Sequence, residues 1–375
     1  MKFLIHIFLL SFIFISCGKE QTDVYKFDKD IYTPGYSSNF KIEGNENSDN
    51  ILISVFNPWQ GAENVSSLFL IQRDSIPIES FKGQILKGNA KRIICMSSTH
   101  IAMLEALGAT DKIVGVSGKQ YISNPKIKNS GPEIPDIGYE GFIDYEKIVA
   151  VDPDLILLFS VNGASSMEPK LKELGIPYIY IGDYVEEDPL GKVEWIVPLA
   201  ELIGKREIGI NIYQKTVDKY NVLKEKVKEN KERNPKIMVN APFLDSWFMP
   251  STESYVAKMI KDAGGDYVYK KNTGNSSKPI DMEEALQLVS LADYWINIGN
   301  IKSINELKTS FPKLNSSKCI LQGQVYNNNK IRTPEGGNDC YESGVMNPDL
   351  VLRDLIKIFH PDLIQEEFVY YQKLQ

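Results

Sequence analysis

From Ala90 onward the chain repeats one rhythm: a short apolar run, then a segment whose apolar residues recur at helical spacing. This alternation restricts the fold more than any other feature. KRIICMSS reads as a buried strand, and THIAMLEALGA as a helix that Thr99 can cap. Ile101, Leu104 and Leu107 share its face, and Gly108 ends it. DKIVGVSG, PDLILLF and PYIYIGD read as further strands; FIDYEKIVAVDP, capped by Asp144, and MEPKLKELGI read as the helices among them. Strands separated by helices return by crossovers and so lie parallel. A second set follows, with KIMVNAPF, DYVY, DYWINIG and CILQGQVYN as strands and SYVAKMIKDAGG, DMEEALQLVSLA, INELKTSF and DLVLRDLIKIFHP as helices. Between the sets, Ile208, Ile212, Val217, Tyr220, Leu223 and Val227 keep helical spacing with no turn signal, which predicts one long helix. The expected class is therefore α/β: two Rossmann-like lobes with mainly parallel sheets, joined by one long α-helix. Their boundaries fall at 88–206, 207–232 and 233–375.

The first residues, MKFLIHIFLLSFIFISC, combine Lys2 with an apolar run from Phe3 to Ile15 that is too short to span a bilayer. Residues 1–16 read as a secretory signal peptide. A cysteine at the cleavage point resembles the bacterial lipobox, which implies Cys17 as the lipidation site. The mature chain is then exported and tied to the cell envelope, at its periplasmic face or the cell surface, by acyl chains alone. Residues 17–87 read as a polar tether followed by a small β extension, in which ILISVFNPWQG and SSLFLIQRD form strands around a turn at Asn57-Pro58 and Gly61. Packing or spacing is the only role the sequence suggests for this extension. Cys95 sits in an apolar run; Cys319 and Cys340 are near enough in sequence to pair, which the sequence leaves open.

Composition narrows the function. Asp plus Glu number 49 against 42 Lys plus Arg, a formal charge of −7, so no basic face is available for nucleic acid. Three histidines are too few to suggest an imidazole-built metal site, and no metal or resident cofactor is expected. The chain lacks HExxH, GxSxG, GxxxxGK[ST], and GxGxxG behind a strand, so the enzyme readings have no motif to rest on.

RIICMSSTHIAMLEALGATDKIVGVSG, GFIDYEKIVAVDPDLILL, AGGDYVYK and GVMNPDLVLRDLIKIFHP, in this order, resemble the ABC-importer substrate-binding proteins with a rigid helical backbone. These serve iron–siderophore complexes, cobalamin and haem, and the resemblance covers about residues 88–362. It implies a cargo cleft between the lobes, a monomer, and delivery to an ABC permease with its ATPase. A ferric siderophore is the first choice of cargo, a cobalamin or related corrinoid the second and haem the third. Tetrapyrrole metal chelatases share the two-lobe architecture and supply the enzyme alternative. They need a metal-gripping histidine with an acidic partner, and an exported lipoprotein does not suit a biosynthetic enzyme.

Within that frame, Tyr139 in GYEG matches a position where relatives set an aromatic against a flat macrocycle, and Tyr121 lies in the preceding loop. Trp247 and Phe248 are the strongest aromatic pair of the second lobe, Arg332 lies in a polar Gly-rich loop where it can hold a carboxylate or phenolate, and His100 begins a helix beside the cleft. All six are candidate ligand contacts. Glu253 has the spacing to Gly264 that relatives show for a permease-docking carboxylate. Where they carry its first-lobe counterpart this chain has Ala102, and Glu105 one turn on is the substitute.

Overall fold

The computed structural model describes residues 26–74, 81–230, 234–243, 246–274 and 276–375. Residues 1–16, read above as a signal peptide, and Cys17 lie outside them. The extension is a larger unit than its two legible strands: β1 (Lys29–Tyr32), β2 (Phe40–Asn45), β3 (Ser48–Phe56), β4 (Ser66–Gln72) and β5 (Gln84–Lys87) form one sheet in that order. The first three pairings are antiparallel and β4–β5 is parallel. Alternation in β2 buries Phe40 and Ile42 and leaves Lys41 and Glu43 at the sheet's outer face.

The first lobe holds β6 (Ile93–Cys95), β7 (Ile113–Val116), β8 (Leu155–Leu158) and β9 (Tyr178–Tyr180), all parallel, in the order β7-β6-β8-β9. Every residue of β8 is buried, as expected for a parallel strand covered on both faces. The crossovers carry α1 (Ser98–Ala106), α2 (Pro125–Lys128), α3 (Tyr145–Ala150) and α4 (Glu168–Leu174). Asp144 caps α3 as expected, accepting from the Lys147 amide at 3.0 Å. The cap of α1 is Ser97 and not Thr99: its Oγ accepts from the Thr99 amide.

Two short buried helices follow, α5 (Pro189–Glu194) and α6 (Ile196–Leu202), and then α7 (Arg206–Glu229), the 24-residue helix the spacing predicts. Its Gly209 lets α6 come close; a Cβ there would stand 2.5 Å from the Ala200 Cβ.

The second lobe contains β10 (Lys236–Val239), β11 (Trp247–Met249), β12 (Asp266–Tyr267), β13 (Lys278–Ile280), β14 (Tyr294–Ile296), β15 (Val325–Asn327) and β16 (Gln372–Lys373). Its sheet runs β12-β10-β14-β15-β16, parallel except at β16, while β11 and β13 form a separate antiparallel ribbon. Around it pack α8 (Tyr255–Asp262), α9 (Met282–Leu291), α10 (Ile304–Ser310), α11 (Lys318–Leu321) and α12 (Pro348–Phe359). CILQGQVYN splits: Cys319 and Ile320 belong to α11, Gly323 turns the chain at φ 62°, and the strand starts only at Val325. Tyr220 on α7 donates to Asp262 at the end of α8 at 2.9 Å, tying the long helix to the second lobe. Cys95, Cys319 and Cys340 are buried free thiols. The whole is a mixed α/β chain with parallel sheets and a long helix, the class the sequence rhythm predicts.

Candidate functional site: a cleft between the lobes

Parallel sheets bind ligands beyond the carboxyl ends of their strands, where loops diverge. Here Ser97 and Thr99 follow β6, Phe159 follows β8, and Asp183 to Asp188 follow β9. Across from them stand Ser251, Ser254 and Tyr255 at the start of α8, with Tyr341 and Val345 from the segment before α12. These two groups line a cavity of about 840 Å³, which Tyr36, Asn57 and Trp59 of the extension also border. A second cavity of about 420 Å³ shares Ser97 and Phe159 with the first and is lined by Tyr121, Tyr139 and Met167.

The cleft walls carry buried charge. Burial raises the Asp183 carboxyl to about 6, against the opposing pull of Lys192 and a hydrogen bond from Thr99. Lys192 is pushed below the usual ammonium range by burial; its Nζ donates to the Asp183 carbonyl at 2.5 Å and stands 5.4 Å from the centre of the Tyr255 ring, across the cleft. At the other edge Glu342 of the second lobe reaches into the first. Its carboxylate accepts the Ser123 amide at 2.7 Å and the Asn124 amide at 2.8 Å. Burial outweighs those two bonds and raises it to about 7. Gly337 lies against the backbone of Tyr121, where a Cβ would overlap the Tyr121 carbonyl. A longer ion pair, Lys258 to Glu187 at 4.0 Å, also spans the gap.

The candidates from the sequence divide into three groups. Tyr121 and Tyr139 stand together on the first-lobe wall, 48% and 55% exposed. Tyr139 leans on Phe142, with ring centres 5.3 Å apart. Glu105 and Glu253 are both exposed, one on each lobe. Glu105 is tied to the first lobe by the Asn124 amide nitrogen at 2.6 Å. The other four are placed away from the two cavities. Trp247 is fully buried in the second lobe, its Nε1 donating to the Val239 carbonyl and its ring 5.2 Å from that of Trp295. Phe248 is exposed on the outer side of the same ribbon. The His100 ring is wholly buried, and burial lowers it to about 3, which keeps it neutral inside the lobe. Arg332 folds over its own loop and donates to Asn300 at 2.7 Å. Sequence reasoning missed Glu342, Lys192 and the extension residues. Only Trp59, an aromatic in an Asn-Pro-Trp-Gln-Gly turn, carried a usable signal.

A model described as periplasmic binding protein matches residues 93–329, so the extension lies outside it. An uncharacterized lipoprotein of Methanocaldococcus jannaschii is 28% identical over 363 residues, covering 92% of this chain and 83% of its own. That coverage requires the relative to match part of the extension too. A vitamin B12-binding protein of Vibrio campbellii is 27% identical over 202 residues, 53% of this chain and 68% of its own. Among solved structures, a periplasmic heme binding protein from Pseudomonas aeruginosa superposes with a TM-score of 0.60 at 15% identity, over 76% of this chain and 98% of that one. At this identity the likeness is one of fold. The matched model spans more than half the sequence, and with the two-lobed architecture in agreement, the chain belongs to the periplasmic binding protein family.

Proposed function

We propose that this chain is the lipid-anchored solute-binding component of an ABC importer, and that it captures a ferric siderophore chelate in the cleft between its lobes. The observation that carries this reading is the pair of exposed tyrosines, Tyr121 and Tyr139, on the wall of a cavity at the carboxyl ends of a parallel sheet. Bare aromatic rings in a concavity present a large, stiff, amphipathic face to a flat or bulky cargo. A corrinoid or haem meets the same requirement. It is the second reading because the Vibrio campbellii relative is named for vitamin B12 and the Pseudomonas aeruginosa neighbour for heme. Capture leaves the cargo chemically unchanged. The protein acts as a monomer, Cys17 carries the acyl anchor, and Glu105 and Glu253 meet the permease, one from each lobe.

Ultraviolet–visible absorbance of the purified protein, offered ferric siderophores, cobalamin and haemin separately, tests the reading. A retained chromophore with the spectrum of the free compound is expected. Failure to retain any of them, or a spectrum showing the metal removed or inserted, overturns it.

A further inference from the structure

The extension does more than space the lobes from the membrane. Its loops are clamped onto the first lobe by buried carboxylates. Glu194, fully buried, accepts the Tyr32 hydroxyl at 2.7 Å and the amides of Gly35, Tyr36 and Ser37 at 2.7, 2.9 and 2.7 Å. Glu186 accepts the Ser37 hydroxyl, the Asn39 side-chain amide at 3.1 Å and the indole of Trp195 at 2.9 Å. Farther along, the Gln60 amide donates to the Val161 carbonyl at 3.0 Å, and Trp59 meets Tyr180 edge-on with ring centres 5.4 Å apart. These bonds fix two loops at the mouth of the larger cavity. Tyr36, held by its backbone, leaves its side chain 43% exposed there.

The charge of this cavity is equally specific. Among the described residues that line it, the carboxylates are Asp183, Glu186, Glu187 and Asp188; the cations are Lys192 and Lys258, and there is no arginine. By formal count this lining carries more carboxylates than cations, which disfavours an anionic cargo.

Resting on the reading that the cleft holds a metal chelate, we propose that the extension is the third wall of the binding site. Tyr36 and Trp59 contact the cargo directly, and the site takes chelates of zero or positive net charge. A neutral corrinoid or a ferric hydroxamate fits; a tris-catecholate carrying several negative charges, or a porphyrin with two free propionates, does not.

The test uses the full mature chain and four probes: ferrioxamine B (cationic), cyanocobalamin (neutral), ferric enterobactin (anionic) and haemin. Binding is followed by isothermal titration. A second readout is available because Trp195, Trp247 and Trp295 are fully buried, so Trp59 is the tryptophan that iodide can reach. We expect one of the first two probes to bind at least about tenfold more tightly than either anionic probe, and to shield Trp59 from iodide. Tyr36→Ala and Trp59→Ala should each weaken that binding by about tenfold, the scale of one packed aromatic. Trp59→Phe, which retains an aromatic ring against Tyr180, should recover most of the loss. Tyr36 is held through its backbone, so Tyr36→Ala remains informative if Trp59→Ala does not fold. Preference for an anionic probe overturns the charge assignment. Unchanged affinity in both alanine variants, with Trp59 still open to iodide in the complex, overturns the third wall while leaving the carrier reading standing. Absence of binding by all four probes removes both.

Discussion

At the residue scale, the strongest constraint is a single carboxylate with four donors. Replacing Glu194 by Ala strands three backbone amides and a tyrosine hydroxyl at a partly buried seam. Each orphaned donor costs about 1–3 kcal/mol. Partial rehydration recovers some of this, so we expect a net loss of about 3 kcal/mol or more in denaturant unfolding, with faster proteolysis of residues 26–92. An intact extension in Glu194→Ala would contradict the clamp. The exposed tyrosines behave differently. Tyr121→Ala and Tyr139→Ala should leave stability nearly unchanged and weaken cargo binding by about 1–3 kcal/mol each in titration, because their rings are bare before cargo arrives. The family resemblance put both tyrosines in loops beyond the first-lobe sheet, and both line the smaller cavity. Trp247 was misplaced for a reason the sequence also contains. In a two-residue period, Trp247 and Met249 face one side of β11 and Phe248 the other, and the structure buries the first pair. His100 lies in a run, His100 to Leu104, that is buried all the way along, so the ring could not reach the cleft.

At the element scale, the α6–α7 contact sets how the long helix sits. Gly in a helix interior normally costs about 1 kcal/mol relative to Ala. At position 209 the sign reverses, because the added methyl would meet the Ala200 Cβ at 2.5 Å and the Ile196 carbonyl at 3.3 Å. Overpacking of this kind costs about 1–3 kcal/mol. Gly209→Ala should therefore destabilise the protein by about 1–2 kcal/mol net in chemical denaturation, and a gain in stability would show that α6 can retreat. The long helix was readable because 24 residues keep one period. The short elements were not. β16 has two exposed residues and no apolar pattern, and β1 and β5 have four residues each, so their pairing is decided by the sheet they join. CILQGQVYN read as one strand because Cys319 and Ile320 are as buried in α11 as they would be in a sheet.

At the scale of the whole molecule, the lobes are joined by a stiff helix and stitched by Glu342. The stitch was invisible in the sequence, since its partners lie more than two hundred positions away. Both Glu342, near 7, and Asp183, near 6, sit above the ordinary carboxyl range because of burial. Each of these two carboxyls holds a proton that the unfolded chain gives up, so each withdraws stability as pH rises from about 4 to its own value. His100, lowered to about 3 by burial, works in the opposite sense over the same range, because the unfolded imidazole takes a proton that the folded one refuses. The share from Glu342 is on the order of 2 kcal/mol. Glu342→Gln isolates it: in thermal melts the variant should gain on the wild type between pH 5 and pH 8. A difference between the two proteins that stays constant with pH would contradict this assignment. Because the connection is helical, structures with and without cargo should differ by a lobe rotation below about 20°. A larger swing would mean that α7 bends or frays.

The sheet that precedes the lobes has a mechanical consequence. Its named bonds run to Val161, Tyr180, Glu186 and Glu194, and Arg73 just past β4 pairs with Glu201 at 2.7 Å, all on one side of the gap. It is therefore a fixed jamb on the first lobe, so any motion between the lobes is motion of the second lobe against it. Any widening of the opening must part Lys258 from Glu187 along one seam. Any passage through the gap then uses a doorway framed on one side by the N-terminal sheet.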